Sequence, residues 1–248
     1  MAAHVNIPRV NTRTQAGLPE DLAMQPRNSR DLFRVISTLA PKLNYPPGMR
    51  LVQQNSRCSN VYLLERGWIS GSYVDVDGRE LVTELRGSGG LIGVTAAILG
   101  RAATSTIITI TECHLRAIAA NRFIDTIRQD KHLLFSLLGL QSDEHCATLK
   151  HLIAIGSLSA RQRLEQWLWS VASSSEHHPN GPVTVRIPCK HCDLARFLAI
   201  SPQHLCRLLN ELELEHVLKR SEGVLVVRNP SLLWHDEHKD ATGDSACG

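Results

Sequence analysis

The residues with the most suggestive chemistry are Ser-Pro-Gln-His-Leu-Cys-Arg at positions 201–207. Ser201 is a preferred helix N-cap residue, and Pro202 suits the first helical position, where its missing N–H does no harm. Gln203 and Arg207 then lie one turn apart on the same side of the helix. A glutamine amide can pair with adenine, and a guanidinium can bind O6 and N7 of guanine together. The spacing therefore predicts a helix that presents these two side chains to base edges.

A second helix is needed to position the first, and the preceding residues predict one. From about Lys190 the apolar residues recur at helical spacing, and a short turn follows at Ala199-Ile200-Ser201. The later helix then buries one leucine stripe, which consists of Leu205, Leu208, Leu209 and Leu212. Two short helices joined by such a turn predict a helix-turn-helix. The turn Ser221-Glu222-Gly223 and the strand Val224–Val227 add a wing.

In such a motif the second helix enters the major groove with its N-terminal residues first, while flanking basic side chains neutralise phosphates. The acidic residues Glu211, Glu213 and Glu215 lie at the far end of that helix. The predicted partner is double-stranded DNA, and the predicted contacts are Lys190, His191, Ser201, Gln203, His204, Arg207, Lys219 and Arg220. The alternative is an ordinary helical hairpin without a DNA-binding role, whose Arg207 is solvated.

The N-terminal half has a different pattern, because residues 49–115 form short β-rich runs separated by turn signals. Asp75-Val76-Asp77-Gly78 predicts a hairpin turn with Glu80–Leu85 as the returning strand, and Thr104–Thr111 is a β-branched run. Before these runs, Leu32, Val35, Ile36, Leu39 and Leu43 have helical spacing, which ends at Pro46-Pro47-Gly48. Short, evenly punctuated strands are typical of a small antiparallel barrel or jelly roll.

A long helix connects the two halves, with apolar residues over more than one face between Leu133 and Ile153. Such a helix needs cover, and we expect a second copy of the chain to supply part of it. A buried core helix is the alternative. The expected domains are a flexible arm (1–28), a β-barrel sensor (29–130), a dimerisation helix (131–157), a winged helix-turn-helix (158–235) and a disordered tail (236–248). The predicted fold class is α+β.

Composition limits the classes of function that are open. The formal charge of +3 is only mildly basic, so the DNA prediction depends on where the charges lie. The N-terminus carries no apolar signal region, and no run approaches the length of a membrane span. We expect a cytoplasmic protein without a membrane partner. The seven cysteines are scattered and odd in number, which indicates reduced thiols.

The order of these elements resembles the Crp/Fnr family of transcription regulators over roughly residues 30–230. The resemblance is carried by Val61-Tyr62-Leu63-Leu64 with Gly67, by Leu91-Ile92-Gly93, and by Asp193-Leu194-Ala195 through 201–209. It implies a cyclic-nucleotide-binding-type barrel, a homodimer that binds a palindromic operator, and no catalytic residues. RNA polymerase is left open as a further partner. Ser201 and Arg207 match the family's recognition-helix pattern, whereas Gln203 replaces a common Glu and Ala199 a usual turn Gly.

The effector region departs from that family. Its cyclic-nucleotide binders carry a Gly-Glu pair and, some ten residues later, an Arg-Ser pair, whereas Gly93 is followed here by Val94 and Ser105 is preceded by Thr104. A buried phosphate without a cation is costly. Cyclic AMP is therefore not the expected ligand, although Gly93, Val94, Thr104 and Ser105 remain the candidate effector pocket. No cofactor is predicted: residues 1–57 lack cysteine for an iron–sulfur centre, and Cys58 and Cys113 are unspecific as haem ligands.

The sequence Cys189-Lys190-His191-Cys192 resembles half of a zinc site, but no second ligand pair follows, so no metal is predicted. Cys192 and Cys206 are the candidate redox thiols, because a thiolate near the DNA-facing surface could be oxidised to a product that repels phosphate. The alternative interpretation is that these two cysteines are only small side chains without a redox role.

Two other classes of function compete with a DNA-binding regulator. A cupin-like enzyme needs several histidines and a glutamate inside its barrel, yet His114 is the only histidine between residues 49 and 119. A non-DNA-binding regulatory scaffold would use the barrel alone and would leave the helix-turn-helix unexplained. The sequence therefore favours a DNA-binding regulator over an enzyme.

Overall fold

The computed structural model describes residues 30–173, 183–186, 191–221, 224–228 and 232–233. The predicted arm and tail, as well as Cys189 and Lys190, lie outside these residues. The helices are α1 (Arg30–Leu39), α2 (Val94–Leu99), α3 (Ala120–Gln129), α4 (Lys131–Ser157), α5 (Ala160–Ser173), α6 (His191–Phe197) and α7 (Pro202–Leu214). The strands are β1 (Lys42–Tyr45), β2 (Arg50–Val52), β3 (Asn60–Arg66), β4 (Ile69–Val74), β5 (Glu80–Arg86), β6 (Gly90–Ile92), β7 (Thr106–Thr109), β8 (Cys113–Ala119), β9 (Val183–Arg186), β10 (Leu218–Ser221) and β11 (Val224–Val227).

The N-terminal strands form two four-stranded antiparallel sheets, with the orders β1-β8-β3-β6 and β2-β7-β4-β5. The first sheet buries Leu64 and Leu115, and the second contributes Ile69 and Ile107 to the same apolar core. This arrangement confirms the predicted jelly-roll fold, which is built from two sheets rather than one closed ring. The strands β4 and β5 pair as the hairpin that Asp75–Gly78 predicted.

Two local predictions in this part were wrong or incomplete. Leu43 does not continue the first helix: α1 ends at Leu39, and Leu43 lies in β1 opposite Leu115. Pro41 follows the helix closely and lacks the N–H that another turn would need. The short helix α2 was not predicted, because it holds only six residues between the left-handed glycines Gly93 and Gly100.

Helix α4 is 27 residues long and begins at Asp130, whose carboxylate accepts hydrogen bonds from the N–H groups of His132 and Leu133. Leu133 and Leu137 pack in a core with α1 and α3. Six large apolar side chains of α4 are instead exposed in the single chain, and they are Leu134, Phe135, Leu138, Leu149, Leu152 and Ile153. Among the described helices, none combines the length and unbroken apolar character that crossing a lipid bilayer demands.

The C-terminal part packs α5, α6 and α7 around one apolar core, and the sheet β10-β11-β9 completes it. Leu164, Leu168, Leu194 and Leu209 are fully or almost fully buried there. The strand β10 was not predicted, since Lys219 and Arg220 gave it no apolar alternation. The strand β10 pairs antiparallel with β11, and together they form the two strands of a wing.

Candidate nucleic-acid interface

The turn between α6 and α7 has the geometry that the sequence predicted for a helix start. Ser201 is extended (φ −75°, ψ 152°), and its Oγ accepts a hydrogen bond from the backbone N–H of His204 at 3.2 Å. Pro202 occupies the first turn of α7. Ala199 is left-handed with φ 53°, a conformation that costs an L-residue about 1–2 kcal/mol. The chain therefore keeps the turn geometry without the glycine that would adopt it freely.

Helix α7 separates into two faces. Leu205, Leu208, Leu209 and Leu212 are buried against α5 and α6, as predicted. The opposite face exposes the polar residues, which are Gln203, Cys206, Arg207 and Asn210, with His204 half-buried at its edge. Within the part of the chain that the structure describes, the Arg207 guanidinium makes no ion pair or hydrogen bond. An uncommitted guanidinium one turn after the amide of Gln203 is free to meet base edges.

The two basic residues of the wing differ in whether their side chains already have partners. Lys219 is exposed. In Arg220, by contrast, Nε donates a hydrogen bond to Glu213 Oε2 at 2.8 Å, and Nη2 donates one to Asn210 Oδ1. The backbone N–H of Arg220 also binds Glu213, and these bonds hold the pKa of the Glu213 carboxyl below its ordinary value. Arg220 therefore ties the wing to the end of α7 in this structure, and a phosphate contact would compete with Glu213.

Two arginines on α5 fix the position of the helix pair. Arg163 donates to the carbonyl oxygens of Leu198 and Leu158 at 2.9 and 2.7 Å, which holds the chain just before the turn. Arg161 pairs with Glu165 and with Glu215 at the C-terminal end of α7. Its guanidinium keeps the pKa of Glu215 below the ordinary value. The acidic end of α7 is thus neutralised by α5, away from the Gln203–Arg207 face.

The helix pair also packs directly on the jelly roll. Leu85 of β5 belongs to the apolar core of the C-terminal part, and Glu80 binds Arg196 of α6 at 2.8 Å. At the C-terminal end of α6, Phe197 stacks on His151 of α4 with ring centroids 4.1 Å apart. The first helix of the motif is therefore held by both the jelly roll and α4.

The other predicted site residues are the two candidate redox thiols and the four candidate effector residues. Cys192 is half-buried with its Sγ 3.7 Å from Asp193 Oδ1, and Cys206 is exposed with its Sγ 4.0 Å from His191 Nδ1. Gly93 opens α2, while Val94 is 2% exposed and packs into an apolar core. Thr104 is exposed and Ser105 half-buried. Among the described residues, no group of three or more His, Cys, Asp or Glu is arranged to hold a metal ion.

Replacing Ser201 by alanine should lower the free energy of unfolding by about 1 kcal/mol, because the N–H of His204 loses its cap. Ser201→Asn should stay within a few tenths of a kcal/mol of the wild type, since asparagine caps equally well. Urea unfolding followed by circular dichroism measures both variants. Equal stability of the alanine and asparagine variants would contradict the capping role.

A charged cluster joins the jelly roll to α4. The Arg86 guanidinium pairs with Glu84 and with Glu144, and Gln141 Nε2 donates to Glu144 at 2.6 Å. Burial of Glu144 raises the pKa of its carboxyl above the ordinary value, more than the Arg86 charge lowers it. The folded state therefore holds a proton at Glu144 at pH values where the unfolded chain has released it.

This raised pKa has a defined sign for stability. As pH rises from 4.5, the ordinary value of a glutamate, through the folded-state pKa, the wild type should lose stability relative to Glu144→Gln. Urea midpoints of both proteins across pH 4–8 give the measurement. Parallel pH profiles for the two proteins would show that Glu144 titrates alike in the folded and unfolded states.

These features define a class of protein: a jelly-roll domain, a long helix with an exposed apolar face, and a winged helix-turn-helix. Two family models match, the cyclic nucleotide-binding domain at residues 42–130 and the Crp-like helix-turn-helix domain at residues 162–235. Together they span well over half of the chain. The chain belongs to the Crp/Fnr family of transcription regulators.

Solved structures share this fold at low sequence identity. FixK2 from Bradyrhizobium japonicum aligns with a TM-score of 0.70 and 16% identity, over 78% of this chain and 95% of its own. The c-di-GMP-responsive regulator CLP from Xanthomonas campestris gives 0.63 and 20%, over 82% and 100%. A CooA mutant from Carboxydothermus hydrogenoformans gives 0.64 and 16%, over 89% and 95%. No curated protein matches the chain in sequence.

Proposed function

We propose that the chain is a cytoplasmic, dimeric transcription regulator that binds a palindromic operator through α7. The observation that carries this proposal is the exposed Gln203–Arg207 face of a helix whose opposite face is buried and whose N-terminus is capped by Ser201. A recognition helix needs this combination, because its first two turns meet the bases while the rest of the domain stays rigid.

Within this proposal the contacts have two roles. Gln203 and Arg207 read bases, and Ser201 and His204 lie at the N-terminal end of α7 where the groove is entered. His191 begins α6 and is exposed, and we assign it to the DNA backbone. Lys190 keeps the same role from the sequence alone, since it lies outside the described residues. Lys219 on the wing binds phosphate, and Arg220 joins it only when it releases Glu213.

Dimerisation is supported by the apolar side chains that α4 leaves uncovered. Leu138, Leu152 and Ile153 are 59%, 64% and 63% exposed in the single chain. A helix that exposes so many large apolar residues along its length is typical of one that pairs with a second copy. Two copies related by a twofold axis would place two α7 helices on successive major grooves.

The ligand of the jelly roll is proposed to differ from cyclic AMP. Val94 points its side chain into the apolar core, and Thr104 offers a hydroxyl where the family's nucleotide binders present a guanidinium. Neither can replace the carboxylate that takes the ribose hydroxyl or the cation that takes the phosphate.

A gel-shift series tests the proposed function. The purified protein is titrated onto DNA from upstream of its own coding sequence and onto unrelated DNA, at several salt concentrations. We expect a steep salt dependence together with tighter binding to one sequence by roughly 10³-fold or more. Equal affinity for both DNAs at every salt concentration would overturn the proposal.

A further inference from the structure

An open pocket of about 290 Å³ lies between β2 and the beginning of β3, on the jelly roll. Its lining includes Arg50, Arg57, Cys58, Asn60 and Tyr62. The candidate effector residues Gly93, Val94, Thr104 and Ser105 do not line it. Its size lies at the lower end of the range for small-molecule sites. The pocket is therefore lined by residues other than the four that the sequence singled out as the effector pocket.

The charge of this pocket has one sign. Arg50 and Arg57 contribute guanidinium groups, and no Asp or Glu is among the lining residues. Within the described residues, neither guanidinium takes part in an ion pair or a side-chain hydrogen bond. Burial raises the pKa of the Cys58 thiol and of the Tyr62 hydroxyl, so both are neutral at neutral pH. Nothing in the pocket offsets the two positive charges.

The neutral part of the lining can hydrogen-bond a ligand. Gln53, Ser56, Ser59 and Asn60 bring amide and hydroxyl groups. A guanidinium presents paired N–H donors that match the oxygens of a carboxylate or a phosphate. Two uncommitted guanidinium groups beside several polar groups therefore suit a small anion better than a neutral or cationic molecule.

The wall of the pocket touches the turn that opens α2. The Cys58 thiol donates to the carbonyl oxygen of Asn60 at 3.0 Å, and a Cβ added at Gly93 would lie 2.6 Å from Cys58 Sγ. Gly93 also has φ 86°, which disfavours any larger residue. Helix α2 packs on α3, and α3 packs on α4. Contacts therefore run from the pocket wall through the Gly93 turn to α2, α3 and α4.

We propose that this pocket binds a small organic anion with a carboxylate or phosphate group, held by Arg50 and Arg57, and that its occupancy alters DNA affinity through Gly93. The effect on DNA affinity rests on the proposed function, whereas anion binding does not. Anion binding is therefore measured without DNA, so that either claim can fail while the other stands.

The binding test uses the full-length chain, with inorganic phosphate and citrate as separate probes at about 10 mM and constant ionic strength. One or both should raise the wild-type Tm by roughly 2–4 °C, and Arg50→Gln/Arg57→Gln should lose that rise. Arg122→Gln, which removes an exposed arginine on α3, is the matched control and should keep it. A rise in Tm with phosphate alone would indicate a phosphate ligand, and a rise with citrate alone would indicate a carboxylate ligand.

A second readout covers the case in which the double variant folds poorly. In the wild type, the effective anion should slow alkylation of Cys58 at least about threefold while leaving alkylation of the exposed Cys206 unchanged. No Tm rise with either anion, or an equal rise in the double variant, would overturn the binding site. Binding without a change in operator affinity would contradict the Gly93 route and leave the site standing.

Discussion

Arg207→Ala is expected to reduce the preference of the protein for its operator over unrelated DNA by about 1–3 kcal/mol per half-site, or roughly 5- to 150-fold. The physical reason is that Arg207 is exposed and uncommitted on α7, so that its guanidinium can bind guanine through two hydrogen bonds. Affinity for unrelated DNA should fall much less. Competition gel shifts with operator and non-operator duplexes give both numbers.

Lys219→Ala is the contrasting variant, because Lys219 lies on the wing and is expected to contact phosphate. It should weaken binding to all sequences alike and lower the slope of log affinity against log salt by about one. Arg122→Ala, on helix α3 outside the winged helix-turn-helix, should change neither quantity. If Arg207→Ala behaved like Lys219→Ala, the guanidinium would be a phosphate contact and another residue would read the base.

Leu138→Glu together with Leu152→Glu is expected to convert the dimer to a monomer and to lower operator affinity by about 10²–10⁴-fold. Both leucines are more than half exposed on α4, so the charges should cost little in the isolated chain. In the dimer they would bring like charges into an apolar interface, which is unfavourable. Analytical ultracentrifugation gives the oligomeric state, and a gel shift gives the affinity.

The matched control places the same two charges on exposed apolar residues of the jelly-roll part, as Val76→Glu and Leu99→Glu. This protein should remain a dimer and should bind the operator at least within a few-fold of the wild type. A dimer in the α4 variant would mean that another surface joins the two copies. A monomer that kept full operator affinity would separate DNA binding from dimerisation.

Local patterns were sufficient to predict helix α7. Ser201 and Pro202 define its start through backbone chemistry alone, and the spacing of Leu205, Leu208, Leu209 and Leu212 defines its buried face. The left-handed turn at Ala199 was harder, since alanine gives no signal for a positive φ. The β4–β5 hairpin was also predictable, because Asp75–Gly78 is a local turn signal.

Contacts between distant parts of the chain could not be predicted from one sequence. The core that joins Leu85 to α6 and the ion pair between Glu80 and Arg196 depend on how the two domains dock. The bond from Arg220 to Glu213 depends on β10, whose short charged sequence has no strand periodicity. The basic pocket beside Cys58 was missed for a different reason: its lining is local, at residues 50–62, but no residue spacing there indicates that a loop and two strands form a concave surface.

The most direct test is selection of DNA from a randomised pool by the purified wild-type protein, with the mass of each protein–DNA complex then measured on the enriched sequence. We predict an inverted repeat whose half-sites are centred about one helical turn apart, bound by two copies of the chain. Enrichment of no sequence at low salt, or a complex that holds a single copy on an asymmetric site, would contradict it.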